Sequence, residues 1–306
     1  MPKGKEGEIM KKTLAIVLVA IMLLCMIPTF AVFATEDEFA TIDSAEEFAE
    51  FTEAVNYYNY IPADGAIIKV TADLDMKDIV GFQPIDVMRK FTLDFDGHTV
   101  SNLAVSTLGA NTNGSASGNK RFAGLIAHNV SNSAAILNLK LDNCLLEADA
   151  RRVGVVAGYV NASVVNNVTV ENCTVKATHT GESKERYAAG LIGSLDYSNY
   201  ELTATLNNVV LESAEADAFG AVVGSFWKST MTITSVTADN VTAKQGETFV
   251  QATFVGEQGY GLDCFTAADG AIVVNSTETA TGYDGPGVVT PPDQPDEPDT
   301  TTTTTA

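Results

Sequence analysis

Four short stretches of this chain place apolar side chains on alternate positions: 136–144 (ILNLKLDNC), 165–173 (VNNVTVENC), 206–214 (LNNVVLESA) and 233–241 (ITSVTADNV). Alternation of this kind marks a strand with one face buried, and the Val, Ile and Thr content agrees. A helix would need apolar spacings of three and four, which these stretches lack. Ahead of each lies a short apolar run between small residues: 123–127 (AGLIA), 154–158 (GVVAG), 189–193 (AGLIG) and 220–224 (GAVVG). Anchored on the closing small residue, the steps 127 to 158, 158 to 193 and 193 to 224 are 31, 35 and 31 residues. A recurring period of this size means stacked units, each too short to bury its own apolar face. The pattern predicts an all-β fold, a right-handed parallel β-helix (solenoid) with one repeat per coil.

Two columns support the stacking. Asn143, Asn172 and Asn240 share one bend position, where Asn tolerates a left-handed backbone and can ladder between coils. Cys144 and Cys173 share one inward position, followed by Ala214 and Val241. Upstream, Ser44 and Glu47 form a capping box before a helix whose face carries Phe48, Phe51, Val55 and Tyr58. Such a helix can lid the open end of the first coil. Residues 66–73 read as the first strand, 91–105 as the next coil, and 108–120, rich in Gly, Asn and Ser, as a loop. The longest excursions fall at 179–186 and 195–201, and closing strands are expected at 249–255 and 271–275. The resulting division is an export signal (1–34), an N-terminal capping helix (35–63), the parallel β-helix (64–281) and a Pro/Asp/Thr-rich linker tail (282–306).

The glycine-flanked runs resemble the glycine-leucine-variable-glycine (GLUG) repeat of bacterial surface proteins. The upstream strings DLDM (73–76), FQPI (82–85) and FTLDFDGHTVSNL (91–103) are similar to the module that often leads into such repeats, although the Asn-Gly pair between Phe-Asp-Gly and His is missing here. The resemblance spans about residues 41–277. It implies a surface-exposed β-helix and carries no agreed catalytic set.

Export is also written in the N-terminus. Lys11 and Lys12 precede an apolar run over 14–27, and Val32-Phe33-Ala34 offers small residues where a signal peptidase cuts. The run is short for a membrane span, which needs roughly 20 residues. Removing the signal leaves 14 of 18 basic and 37 of 39 acidic residues, a net charge near −23. That surface excludes nucleic acid and anionic lipid as partners and keeps a secreted solenoid dispersed.

Candidate chemistry is sparse. No metal-ligand spacing and no nucleophile motif is present among Cys144, Cys173, Cys264, His98, His128 and His179. The cysteines read as reduced core thiols or, for Cys144 and Cys173 on neighbouring coils, as a bridge. Asp73, Asp75 and Asp78, and separately Asp94 and Asp96, offer oxygen ligands for calcium, but neither set meets the EF-hand loop. No other cofactor is implied. A basic stripe is expected where Lys120-Arg121, Arg151-Arg152 and Lys184 with Arg186 precede successive glycine-flanked runs, broken by Asp217 in the fourth. Glu147, Asp149, Glu182 and Glu185 stand close enough in sequence to neutralise it. Tyr159, Phe226 and Trp227 follow those runs, Phe226 reading as core and Trp227 as outward. The candidate ligand-binding set is therefore Arg121, Arg151, Arg152, Arg186, Tyr159 and Trp227.

The expectation is a secreted, non-catalytic surface solenoid for adhesion or for binding extracellular glycan or host and matrix protein. A polysaccharide lyase or glycoside hydrolase is the alternative, and a passive spacer the third. Carboxylates converging in one groove would favour the enzyme; an arginine face without paired acids would favour binding.

Overall fold

The computed structural model describes residues 39–58, 60–107, 121–180, 185–258, 265–276 and 282. The expected export signal (1–34), the expected loop at 108–120, Lys184, Glu182, Cys264 and the expected tail beyond Gly282 lie outside them. The described chain is a parallel β-solenoid of about six turns with a single helix. Its strands form three sheets of 5, 12 and 9 strands. Successive coils pair in parallel, as in Ile136 with Val165 and Leu141 with Val170. The described exception is Thr248–Val250, which folds back antiparallel on the end of the long strand Thr230–Gln245.

Helix α1 (Ala45–Tyr57) begins where the sequence places its cap. The Ser44 hydroxyl accepts from the Glu47 N–H at 3.3 Å, and the Glu47 carboxylate accepts from the Asp43 N–H at 2.9 Å. Phe48 and Phe51 are fully buried and meet Phe82, Phe95 and Phe91 of the first coils ring to ring. Tyr58 is outside that face and exposed; Phe39 and Tyr60 pack on Phe51 instead. The first ladder also starts earlier than the sequence pattern suggests. Thr41–Ile42, ahead of the helix, pairs with Ile67–Val70, so the helix is inserted after the first strand.

The coil register corrects the sequence reading in two places. Ala127, Ala157, Ile192 and Val223 align, so steps are 30, 35 and 31 residues and His128, not Ala127, shares a position with Gly158, Gly193 and Gly224. In the third coil Leu206 aligns with Val170, not Val165, and the column of Cys144 and Cys173 continues through Val209, not Ala214, to Val241. The Asn-Asn-Val string at 207–209 copies the one at 166–168, yet the two sit on successive corners. Because Ala204 and Val209, and likewise Leu206 and Leu211, are all buried, hydrophobicity alone does not separate registers five apart. Residues 195–201 are no excursion. They run from strand Ile192–Asp196 through a tight corner into Asn199–Ser213, and the longer 35-residue step is taken up near 178–186.

Asn side chains hold the corners as expected. Asn143, Asn172, Asn208 and Asn240 all have φ between 51° and 54°. Their amides step between coils, Asn143 donating to Asn102 and Asn208 to Asn172, each at 2.8 Å. Cys144 and Cys173 are fully buried free thiols on adjacent coils, donating to the carbonyls of Asp142 and Glu171.

A concave corner as the candidate functional site

The third ladder turns back on itself in each coil. A first arm (Phe122–Ala123, Arg152–Gly154, Tyr187–Ala189 and the start of Ala218–Trp227) leads into a second arm (Ala127–Ser131, Ala157–Asn161, Ile192–Asp196 and the end of Ala218–Trp227). Glycine permits the fold-back. A Cβ on Gly193 would lie 2.6 Å from the Gly158 carbonyl oxygen and 2.8 Å from the Arg152 carbonyl carbon, both backbone atoms that cannot swing aside.

Along this corner, residues stack by coil. Phe122, Arg152, Tyr187 and Ala218 succeed one another on the first arm, and Tyr159, Ser194, Ser225 and Glu257 on the second. At the start the corner is filled: the Phe122 and Tyr159 rings stack face to face, centroids 4.4 Å apart, with the Arg152 guanidinium 5.6 Å from the Phe122 centroid. Further on, Ser194, Ser225 and Ala218 replace the large side chains. A groove of about 250 Å³ opens there, lined by Arg152, Glu185, Tyr187, Ser194, Asp196 and Glu257 among others, with Trp227 on its wall.

Its polar groups are tied together. The Tyr187 hydroxyl reaches over the intervening coil, two steps or about 10 Å along the axis, to donate to Glu257 at 2.7 Å. Tyr159 donates to Asp196 at 2.8 Å, Ser194 donates to the other Asp196 oxygen at 3.3 Å, and Ser225 donates to Ser194 at 2.9 Å. Glu185 holds a left-handed φ of 77°, costly for a residue with a side chain, and takes the Arg152 guanidinium at 2.6 Å. The Arg152 Nε is sealed from solvent without a hydrogen-bond partner. Burial pushes the Asp196 carboxyl above the usual carboxylate range, against the hydrogen bond from Tyr159 and the charge of Arg152. Burial likewise raises the Tyr159 and Tyr187 phenols, reinforced by Asp196 and Glu257 respectively.

The rim is aromatic. Trp227, 37% exposed, follows Asp196 on the next coil. The Lys228 ammonium lies 5.9 Å from the Trp227 ring centroid and 5.5 Å from that of Tyr197.

Of the residues singled out in sequence, Arg152, Tyr159 and Trp227 meet at this corner. Arg121, Arg151 and Arg186 do form one column, in register as expected, with Asp217 next. That column is partly neutralised: Arg186 pairs with Glu215 at 2.5 Å and Asp217 at 3.1 Å. Of the acids expected to neutralise the stripe, Glu185 pairs with Arg152, while Glu147 pairs with Lys176 and Asp149 with His179. Sequence reasoning missed Tyr187, Ser194, Ser225 and Glu257 as lining residues. Their signal was the glycine column, because glycine facing backbone means two segments in contact and a concavity beside them. His98 bonds Asp73 at 3.2 Å. Among the described residues no group of three or more His, Cys, Asp or Glu is arranged to hold a metal.

No family model matches the sequence. Halomucin of Haloquadratum walsbyi (strain DSM 16790 / HBSQ001) is 32% identical over 162 residues, covering 48% of this chain and 1% of that protein. The chain thus spans about a hundredth of that relative's length. The crystal structure of a candidate immunoglobulin A1 protease from Bacteroides ovatus aligns over 77% of this chain and 84% of that one, at 15% identity and a TM-score of 0.30.

Proposed function

We propose that this chain is a secreted, surface-associated β-helix that binds extracellular glycan in the concave corner. The observation that carries the reading is the juxtaposition in one groove of an outward tryptophan, a guanidinium and three carboxylates on a rigid ladder. A flat aromatic wall suits the apolar face of a sugar ring, and fixed polar groups beside it read hydroxyls. The signal sequence, the acidic composition and the resemblance to GLUG-type repeats of surface proteins support secretion. No helix among the described residues is long and apolar enough to cross a membrane.

A hydrolase is the second reading, and the criterion of converging carboxylates counts toward it: Glu185, Asp196 and Glu257 line the same groove, the arginines Arg152 and Arg186 are paired with acids, and paired carboxylates are what glycoside hydrolysis needs. Binding is favoured over it because each acid already has a neighbour: Glu185 has Arg152, Asp196 has Tyr159 and Ser194, and Glu257 has Tyr187. The test is a glycan array probed with the exported chain, run beside a reducing-end assay on every polymer retained. Retention without new reducing ends is expected; release of reducing ends that is lost in Glu257→Gln or Asp196→Asn would establish the hydrolase.

A further inference from the structure

We infer that the corner groove selects a single neutral hexose unit and rejects uronic and sialic acids; this rests on the glycan-binding reading above. The lining supplies the argument. Three carboxylates face one guanidinium, and that guanidinium is already held by Glu185 at 2.6 Å. An acidic sugar entering here would lose water from its own carboxylate beside Asp196 and Glu257, and the lining's one cation is already paired; the Lys228 ammonium stands outside the lining, on the rim over the Trp227 and Tyr197 rings. A neutral pyranose brings the opposite complement. Its hydroxyls are donors, and ionised carboxylates are acceptors only, with spare lone pairs on Asp196 and Glu257 beyond the bonds they already accept.

Size points the same way. The groove, at about 250 Å³, is below the roughly 300–1,000 Å³ of sites for drug-sized ligands. It holds one ring stacked on Trp227, with neighbouring residues of a chain left outside. The larger cleft at the other end of the solenoid, about 400 Å³ beside Tyr57 and Tyr58, is a poorer match. There the phenols are spent on Gln83 and Glu53, and no cation lines the space.

Isothermal titration calorimetry of the exported chain decides the matter, with neutral hexose oligomers, oligogalacturonate and glucosamine oligomers as probes. The expected result is binding of a neutral oligomer at least tenfold tighter than oligogalacturonate. Trp227→Ala and Asp196→Asn should each weaken it tenfold or more, while Tyr58→Ala changes it less than twofold. Preference for oligogalacturonate or for the glucosamine oligomers, with the same dependence on Trp227, would overturn the neutral-sugar inference and leave glycan binding standing. Neutral-sugar binding indifferent to Trp227 and Asp196 would overturn the groove. No heat with any probe, in a chain whose melting is normal, would overturn the glycan reading itself.

Discussion

His128 occupies the position held by glycine in the next three coils, and it gives a sharp acid-stability test. It can be a large residue there because the coil before it offers Asp86 at the equivalent position, 3.9 Å from Nε2, while Nδ1 accepts from the Gly124 N–H at 3.4 Å. Burial lowers the imidazole pKa from 6.5 to about 4. An unfolded chain therefore binds a proton near pH 6.5 that the native chain refuses until near pH 4. Stability from this residue is complete above pH 6.5 and is lost as pH falls toward 4. At 1.36 kcal/mol per unit, the loss is about 2 kcal/mol at pH 5 and about 3 kcal/mol once both states are protonated. Burial also raises the Asp86 carboxyl, which acts in the opposite direction, so the comparison must isolate the histidine. His128→Asn keeps an acceptor for Gly124 and cannot titrate in this range. Urea melts of both proteins at pH 7.5 and pH 5.0, followed by Trp227 fluorescence, should show the wild type losing about 2 kcal/mol more than the variant. A stability gap that does not change with pH, together with a His128 proton resonance titrating near 6.5, would falsify the argument.

Three further outcomes are expected. Gly193→Ala forces backbone apart at the corner and should cost at least the roughly 1–3 kcal/mol of an overpacked core, visible as a lowered calorimetric midpoint and, if the groove binds sugar, as weaker binding. Asn172→Ala removes the bonds to Asp142 and from Asn208 and places Ala at φ 51°; about 2–4 kcal/mol should go, and Asn172→Gly should recover about 1 kcal/mol of it. In a Cys264→Ser variant of residues 35–306, which leaves out Cys25, Cys144 and Cys173 should ignore a thiol reagent in the native state and consume two equivalents in guanidinium, since burial seals both and raises the Cys173 thiol; failure to react when unfolded would mean they are bridged.

What could be read from the sequence is what repeats. The alternating stretches, the period and the cap all depend on local pattern, although the stretch 165–173, read as one strand, is broken at Asn167 and Asn172 into short strands, and the run 154–158 spans a corner between two more. Register is less legible, because a ladder is chosen by the sum of many contacts. The doubled Asn-Asn-Val string and the alternation across 202–209 leave two registers that look alike until the neighbouring coil is in place. The site was hardest. Tyr187 and Glu257 are 70 residues apart and touch only because the arms fold back, and Ser194 and Ser225 matter for the volume they leave empty. Arg152, Tyr159 and Trp227 were found because they are chemically conspicuous; the residues that make the hollow are not.

The stacking also makes the molecule a ruler. Each added coil lengthens the solenoid by about 4.8 Å. Asp196 lies on the fourth strand of its column, counting from Ile85–Arg89, about 14 Å along the axis from the first. A coil inserted between α1 and residue 121 would carry the groove outward by one increment with its lining intact. Reach and recognition are thereby separable in this architecture, one set by how many coils precede the corner and the other by a handful of side chains within it.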